Sequence, residues 1–354
     1  MKTDVAVLSS PLLPRSPAPW LNPLSVAFAL LVTSALAAEP ITFTARDSLR
    51  PGDETVPDAK AALADLTWRP ADFEVSLLDV ADADHQAVIR FPSAVDTGDD
   101  VNDRVALLWH KPADADAQVP RPAVVVVHES GSAMPVGRLF AKAFAARGFH
   151  SFLIHLPHYG LRRREGKRPD GERFLITMRQ GIADVRRARD AVAVLPGVDP
   201  QRIALQGTSL GAFVSSTSAG LDRGYQAVFL MLSGGDLYRM LQNGDKEAAQ
   251  LRQRLEQAGY TDDKLRDLLH VVEPTRLAHR LDPQQTWLYS AEQDRVVPLE
   301  NALVFKRAAK LDDAHHVRLW GDHTSTIVYF PVIVEHAAER IRALGGQPAL
   351  VPRH

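Results

Sequence analysis

The chain has 354 residues, of which 45% are hydrophobic and 24% charged, with a net charge of −2. This length allows one sizeable buried core, and the small net charge provides no field that would attract nucleic acid or an anionic membrane. The sequence contains no cysteine. Disulfides, thiolate metal sites and a cysteine nucleophile are therefore excluded.

The first residues have the pattern of a secretion signal. Residues 24–36 are uncharged and largely apolar, but they are too few for a membrane-spanning helix of about 20 residues. They end in Ala35-Leu36-Ala37-Ala38, which fits the small-x-small pattern of a signal peptidase site. We expect residues 1–37 to be a signal peptide, cut after Ala37 or Ala38. The mature protein would be periplasmic or secreted, with no stable membrane span; an uncleaved anchor or a buried helix is the alternative.

The next part of the chain predicts an antiparallel opening to a sheet. Residues 38–72 are rich in Pro, Asp and Ala and indicate an extended lead-in. Three strand-like runs follow, separated by Asp- and Gly-rich turns, at residues 73–80, 86–91 and 104–110.

From residue 122 the pattern alternates between strands and helices. Strands are predicted at 122–128, 151–156, 202–206, 227–232, 286–290 and 316–319, and helices at 136–147, 172–195, 212–219, 299–310 and 327–344. This alternation predicts an α/β fold of the α/β-hydrolase type. Its central sheet would be mostly parallel, with antiparallel N-terminal strands and helices on both faces. The predicted core spans residues 73–236 and 280–346, and residues 347–354 form a tail.

Residues 237–279 interrupt this alternation. The segment is charged, helical and longer than one crossover between strands needs. We interpret it as a helical cap insertion over the active site. An elaborated surface crossover explains the same pattern.

The motif Gly207-Thr208-Ser209-Leu210-Gly211 carries the main functional prediction. It fits G-x-S-x-G, directly follows a short strand and opens a helix of small residues. That setting is the one required of a nucleophile elbow, where side chains at the glycine positions would collide with neighbouring elements. The motif therefore predicts Ser209 as a catalytic nucleophile.

A serine nucleophile needs a histidine base that is oriented by a carboxylate. In this fold the acid and then the histidine should follow later strands, which favours Asp294 and His323. Glu292 is the alternative acid. His315 and His316 precede or lie in the last strand and are interpreted as structural, and Asp322 is too close to His323 in sequence to turn back onto its ring.

The oxyanion of the reaction would be held by backbone N–H groups. One is predicted at Leu210 and the other at Glu129 or Ser130, in the loop after strand 122–128. A carboxylate at Glu129 would oppose catalysis unless it is paired, for instance with an arginine of the next loop. His128 is expected to pack beneath the hole or to contact the substrate.

The loop after strand 151–156 reads Pro157-His158-Tyr159-Gly160-Leu161-Arg162-Arg163-Arg164 and continues with Lys167 and Arg168. Loops at the carboxyl ends of strands border the ligand site in open α/β sheets. His158, Tyr159 and Arg162 are therefore candidate substrate-binding residues. The alternative is a solvated basic surface with internal pairs to Glu165 and Asp170.

These motifs resemble the α/β-hydrolase superfamily. The similarity covers residues 122–343. It is greatest to the part of the superfamily that contains the dienelactone hydrolases, acetyl-xylan esterases and prolyl oligopeptidases. It is carried by the serine turn, by residues 184–188 (Asp-Val-Arg-Arg-Ala), 198–203 (Val-Asp-Pro-Gln-Arg-Ile) and 273–281, and by the loop beginning at Pro157. The resemblance implies acyl transfer to water. Dienelactone enzymes use a cysteine nucleophile, which is absent here, so their substrate is not implied.

The predicted activity is that of an exported carboxylesterase acting on a small-molecule, carbohydrate or lipid ester, with no cofactor, no metal and no nucleic-acid partner. A prolyl-oligopeptidase-like peptidase is an alternative. Such enzymes usually carry a propeller, which the roughly 60 residues before the core cannot form. A non-catalytic binding protein on a hydrolase scaffold is the other alternative.

Overall fold

A computed structural model describes residues 39–80, 82, 84–164 and 173–344. The predicted signal peptide of residues 1–37, residues 165–172 of the basic loop and the predicted tail 347–354 lie outside the described residues.

The described chain builds one ten-stranded sheet. Its strands are β1 (Ile41–Arg46), β2 (Asp72–Asp79), β3 (Ala87–Pro92), β4 (Arg104–His110), β5 (Arg121–Val127), β6 (His150–His155), β7 (Val198–Thr208), β8 (Ala227–Met231), β9 (Thr286–Ala291) and β10 (His316–Leu319). They lie in the order β1-β2-β3-β4-β6-β5-β7-β8-β9-β10.

The sheet has an antiparallel half and a parallel half. Strands β1 to β4 pair antiparallel, and β4 pairs antiparallel with β6. From β6 to β10 every pairing is parallel. This arrangement confirms the predicted mostly parallel sheet with antiparallel N-terminal strands.

Ten α-helices accompany the strands in the described part of the chain. They are α1 (Pro57–Leu66), α2 (Pro135–Ala145), α3 (Phe174–Ala193), α4 (Leu210–Gly220), α5 (Leu237–Asn243), α6 (Glu247–Gln257), α7 (Asp262–Val271), α8 (Thr275–Ala278), α9 (Leu299–Ala308) and α10 (Phe330–Ala343). None of these helices combines the length and the apolar character that crossing a membrane requires.

Alternating side chains of β5 build the core on both faces of the sheet. Val125 and Val127 pack into a cluster with residues of α3 and α4, whereas Val124 and Val126 pack with residues of α2 and α10. Full burial of each valine contributes about 1.5–3 kcal/mol, which explains why this strand is apolar at every position from 123 to 127.

The lead-in predicted as extended contains regular structure. Residues 41–46 form the edge strand β1, and residues 57–66 form α1. Only one position of β1 is buried, and α1 is a short alanine-rich helix that begins with Pro57. Neither element therefore has the strong periodicity by which the later strands and helices are recognised.

Candidate active site

Ser209 lies at a sharp turn between β7 and α4. Its backbone has φ 52° and ψ −119°, in the left-handed half of conformational space that non-glycine residues rarely adopt. A 2.8 Å hydrogen bond from the Ser209 N–H to the Met231 carbonyl at the end of β8 stabilises this strained conformation. The side chain is only half-buried, so its hydroxyl can meet a substrate.

The two glycines of the turn are required by close packing. A Cβ on Gly207 would lie 2.5 Å from the carbonyl oxygen of Gly211, and a Cβ on Gly211 would lie 2.2 Å from the carbonyl oxygen of Val127. Both distances are far inside van der Waals contact with backbone atoms. The turn therefore has the helix and strand neighbours that the motif predicts, with β5 and the start of α4 as the neighbours.

His323 and Asp294 converge on Ser209 from two later loops. Nε2 of His323 lies 3.0 Å from Oγ of Ser209, and Nδ1 lies 2.7 Å from Oδ2 of Asp294. The other carboxylate oxygen of Asp294 accepts hydrogen bonds from the N–H groups of Val296 (2.8 Å) and Val297 (2.9 Å). With both oxygens engaged, the carboxylate has one orientation. It favours the tautomer in which Nδ1 of the histidine donates and Nε2 accepts.

Asp322 shapes the turn that presents His323. Its Oδ1 accepts hydrogen bonds from the N–H groups of Thr324 (2.9 Å) and Ser325 (2.7 Å), and its own N–H donates to Oγ of Ser325 (2.8 Å). These backbone donors lower the pKa of Asp322 to about 2. Asp322 therefore caps the histidine turn and does not contact the imidazole.

The alternative acid is engaged elsewhere. Oε1 of Glu292 lies 2.8 Å from Nη2 of Arg318 on β10, so this carboxylate forms an ion pair along the sheet edge. His315 pairs with Asp312 at 2.7 Å, and Nε2 of His316 lies 3.0 Å from Oγ of Ser290. Burial lowers the pKa of His316 to about 4. Neither histidine faces Ser209.

The loop after β5 approaches Ser209 with its backbone. Ser130 and Gly131 line the same cavity as Ser209 and Leu210. Leu210 is the first residue of α4, where backbone N–H groups have no acceptor within the helix. Leu210 and Ser130, two of the predicted oxyanion donors, therefore lie beside Ser209, whereas Glu129, the third candidate, is not among the residues that line the cavity.

The carboxylate of Glu129 is turned away from this cavity. Its two oxygens accept hydrogen bonds of 2.9 Å each from the N–H groups of Val136 and Gly137, in the first turn of α2. Its partner is therefore a helix N-terminus and not an arginine of the next loop. The positive end of the helix dipole stabilises the negative charge, so the carboxylate can stand near an oxyanion site without facing it.

His128 is wholly buried and does not contact the cavity. Its Nδ1 lies 2.7 Å from the carbonyl oxygen of Glu129, and its Nε2 accepts a 3.1 Å hydrogen bond from the N–H of Leu156. Burial lowers its pKa to about 4. The expectation that His128 contacts the substrate is therefore wrong: as a neutral ring it joins the ends of β5 and β6 beneath the loop.

Two of the three candidate binding residues in the loop after β6 have contacts within the protein. Arg162 is fully buried and forms a 2.8 Å ion pair with Asp184 of α3. The N–H of His158 donates to Oδ1 of Asn102 at 2.6 Å, and its side chain is not among those lining the cavity. The predicted substrate contact of Arg162 is therefore wrong, whereas that of His158, which does not line this cavity, stays a prediction.

Tyr159 is the loop residue that does line the cavity. Its ring packs against that of His128 at a tilt, with 4.6 Å between the ring centroids. Burial raises the pKa of this phenol. Tyr159 thus packs against His128 at the end of β5 and lines the same cavity as Ser209.

The cavity above Ser209 has a volume of about 440 Å³ and mostly apolar walls. Sequence reasoning did not assign most of its residues. They come from the start of α3, from the Val296–Val297 pair and from α5 and α6: Phe174, Thr177, Met178, Val296, Val297, Met240, Leu241, Glu247, Ala248, Gln250, Leu251, Arg254 and Leu255. The helical spacing of the α6 members was the available signal, since residues 247, 248, 251, 254 and 255 share one helix face.

Comparison with solved structures identifies the fold. An acetyl xylan esterase from Paenibacillus sp. R4 matches 81% of this chain and 92% of its own, with a TM-score of 0.58 and 17% identity. Acetyl xylan esterase 1 from Thermoanaerobacterium sp. JW/SL YS485 matches 78% and 92%, with a TM-score of 0.55 and 15% identity. Dipeptidyl peptidase 4 of Porphyromonas gingivalis matches 76% of this chain and 42% of its own, with a TM-score of 0.52 and 13% identity.

The sequence itself matches no protein-family model and no curated protein sequence. At these identities the structural matches establish the fold, and the chain has the α/β-hydrolase fold that the sequence predicts. Within that fold, the serine, histidine and aspartate lie at the distances of a Ser-His-Asp triad.

Proposed function

We propose that the protein is a serine hydrolase that cleaves carboxylic esters through Ser209, His323 and Asp294. The observation that carries the proposal is the position of His323, within hydrogen-bond distance of both Ser209 and Asp294. The strained backbone of Ser209 adds support, because such strain clusters at functional sites.

In the proposed reaction His323 takes the proton of the Ser209 hydroxyl as its Oγ attacks the ester carbonyl carbon. The N–H groups of Leu210 and Ser130 hold the oxyanion, each contributing about 3 kcal/mol to the barrier reduction. The bond to the alcohol then breaks and His323 protonates the departing oxygen. Water, activated by His323, hydrolyses the acyl-enzyme and restores Ser209.

The helices α5 and α6 act as a cap in this proposal. Both belong to the segment 237–279 between β8 and β9, and both contribute walls to the cavity over Ser209. Their side chains therefore select the substrate. The acetyl xylan esterases among the structural matches support an ester substrate, and the signal-like residues 1–37 support export to the periplasm or medium.

A fluorophosphonate probe tests the proposed nucleophile. We expect the wild-type protein to be labelled and Ser209→Ala to remain unlabelled. The matched control is Ser215→Ala, which changes a buried serine of α4 and should still be labelled. Labelling that persists in Ser209→Ala, or a wild type that is never labelled, contradicts a serine hydrolase.

Ester and peptide substrates separate the two hydrolase alternatives. We expect p-nitrophenyl acetate or butyrate to be turned over faster than a proline anilide. The reverse order would favour a peptidase of the prolyl oligopeptidase type. A protein that is folded, unlabelled and inactive on both would support a binding protein on a hydrolase scaffold.

A further inference from the structure

The cavity over Ser209 has two charged side chains among its described lining residues, Arg254 and Glu247. Both are on α6, two helical turns apart, which separates their Cα atoms by about 10.5 Å along the helix axis. Between them on α6, Ala248 and Leu251 are apolar and Gln250 is a neutral polar residue, and all three line the cavity. A substrate in the cavity would thus meet a positive and a negative charge along one uncharged stretch of wall.

Arg254 differs from the neighbouring arginines of the cap. Arg252 donates hydrogen bonds to the carbonyl oxygens of Leu241 and Gln242, and Arg266 pairs with Asp263 at 2.6 Å. Within the described ranges of the chain, the guanidinium of Arg254 has no ion pair. Its charge is available to a ligand, whereas Arg252 joins α6 to the end of α5 and Arg266 pairs within α7.

Arg254 lines the same cavity as Tyr159 and as Gly131 of the loop after β5. Burial raises the pKa of the Tyr159 phenol, and the positive charge of Arg254 acts in the opposite direction. Arg254 is the cation among the described lining residues of the cavity, so it is the charge that an anionic group of a ligand would complement.

We propose that Arg254 is a specificity-determining residue that binds a carboxylate group of the ester substrate, while the apolar walls hold the remainder. This inference rests on the proposed esterase function. The planar guanidinium can donate two parallel hydrogen bonds to a carboxylate. Because Arg254 is exposed at the cavity, solvent weakens the ion pair, and a preference of about fivefold to tenfold is expected.

Two pairs of matched esters test this assignment. In the first, 4-nitrophenyl monoadipate is compared with 4-nitrophenyl adipamate, whose neutral amide replaces the carboxylate of the acyl group. In the second, 4-acetoxybenzoate is compared with 4-acetoxybenzamide, which moves the charge to the alcohol. The measured quantity is the ratio of kcat/KM for the anionic ester to that for the neutral ester.

We expect at least one pair to give a ratio above about five in wild type, a ratio near one in Arg254→Gln and an intermediate ratio in Arg254→Lys. The change should be in KM, and the wild-type ratio should fall with added salt. Arg266→Gln removes the same charge from the cap away from the cavity and should keep the wild-type ratio.

Two results overturn the assignment: neither pair shows a preference for the anionic ester, or the preference survives in Arg254→Gln. Both can be observed with an enzyme that hydrolyses the neutral esters, so they leave the proposed function standing. Absence of hydrolysis of all four esters, together with absence of fluorophosphonate labelling, would instead contradict the proposed function.

Discussion

The carboxylate of Glu292 faces Arg318, with 2.8 Å between Oε1 and Nη2, and this ion pair lies beside the loop that supplies Asp294. Glu292 and Asp294, the two acidic residues that follow β9, thus have different partners. One pairs with an arginine on β10, and the other accepts two backbone N–H groups and contacts His323. Sequence spacing alone leaves both open as the acid of the triad.

We expect Asp294→Asn to lower kcat by about 10⁴-fold, because an amide no longer favours the tautomer in which Nε2 of His323 accepts a proton. Glu292→Gln should change kcat less than about twofold, since it removes only a partly exposed ion pair. Steady-state hydrolysis of p-nitrophenyl acetate measures both. Comparable losses in the two variants would argue against the assignment of Asp294.

Gly211→Ala should destabilise the fold and reduce activity. The added methyl would meet the carbonyl oxygens of Val127 and His128, so α4 or the end of β5 must shift, at a cost of about 1–3 kcal/mol or more. Gly181→Ala in α3 is the matched control. Its Cβ would be in ordinary contact, 3.6 Å from Leu156 and Pro157, and the change should stabilise α3 by up to about 1 kcal/mol. Urea unfolding of both variants gives the comparison, and equal stabilities would contradict it.

Glu129→Gln should cost stability and leave kcat nearly unchanged. A glutamine offers one acceptor oxygen where the carboxylate offers two, and it carries no charge at the N-terminus of α2. The loss should be about 1 kcal/mol of unfolding free energy. If the carboxylate instead opposed the oxyanion, its neutralisation would raise kcat. Thermal unfolding and steady-state kinetics on the same sample distinguish these outcomes.

Stability should decline as the pH falls from about 6.5 towards 4. Burial lowers the pKa of His110, His128, His150 and His316 to about 4 and that of His155 to about 3. In the unfolded chain these rings bind protons near pH 6.5, so protonation favours unfolding throughout that interval. The stability that the neutral rings provide is complete above 6.5.

Carboxylates whose pKa values are lowered affect stability in a different pH interval. The pKa values of Glu54 and Asp99 are lowered to about 2 by their hydrogen-bond donors, so their contribution is lost only below about pH 4. Urea denaturation at pH 7, 6, 5 and 4 resolves the two intervals. We expect His128→Gln to show a shallower decline between 6.5 and 4, and a flat wild-type profile there would contradict the prediction.

The sequence predicts those parts of the molecule whose physics is local or periodic. The β-branched run before His128 predicts a strand buried on both faces, and the strand-turn-helix context of Ser209 predicts its turn. Positions of side chains after later strands are also predictable, because parallel strands end at one edge of the sheet. That rule led to both Asp294 and His323.

Pairings between residues that are far apart in the sequence cannot be predicted from local or periodic patterns. Arg162 belongs to a basic stretch that indicates a solvated surface or an anion site, yet its partner Asp184 lies within α3 and both are fully buried. Glu129 is a loop carboxylate whose partners are backbone amides, which no side-chain pattern reveals. Periodicity shows which face of an element is buried but not which group it meets.

Strands β8 and β9 are hydrogen-bonded neighbours, with Val228 opposite Thr286, although the chain makes the excursion through α5 to α8 between them. The excursion leaves and rejoins the sheet at adjacent strands, so its length can change without altering the register of any strand. The segment that contains α5 and α6 can therefore be exchanged, in evolution or by engineering, without changing the order of the strands. Substrate range would diverge there, while the backbone that holds Ser209, Asp294 and His323 stays fixed.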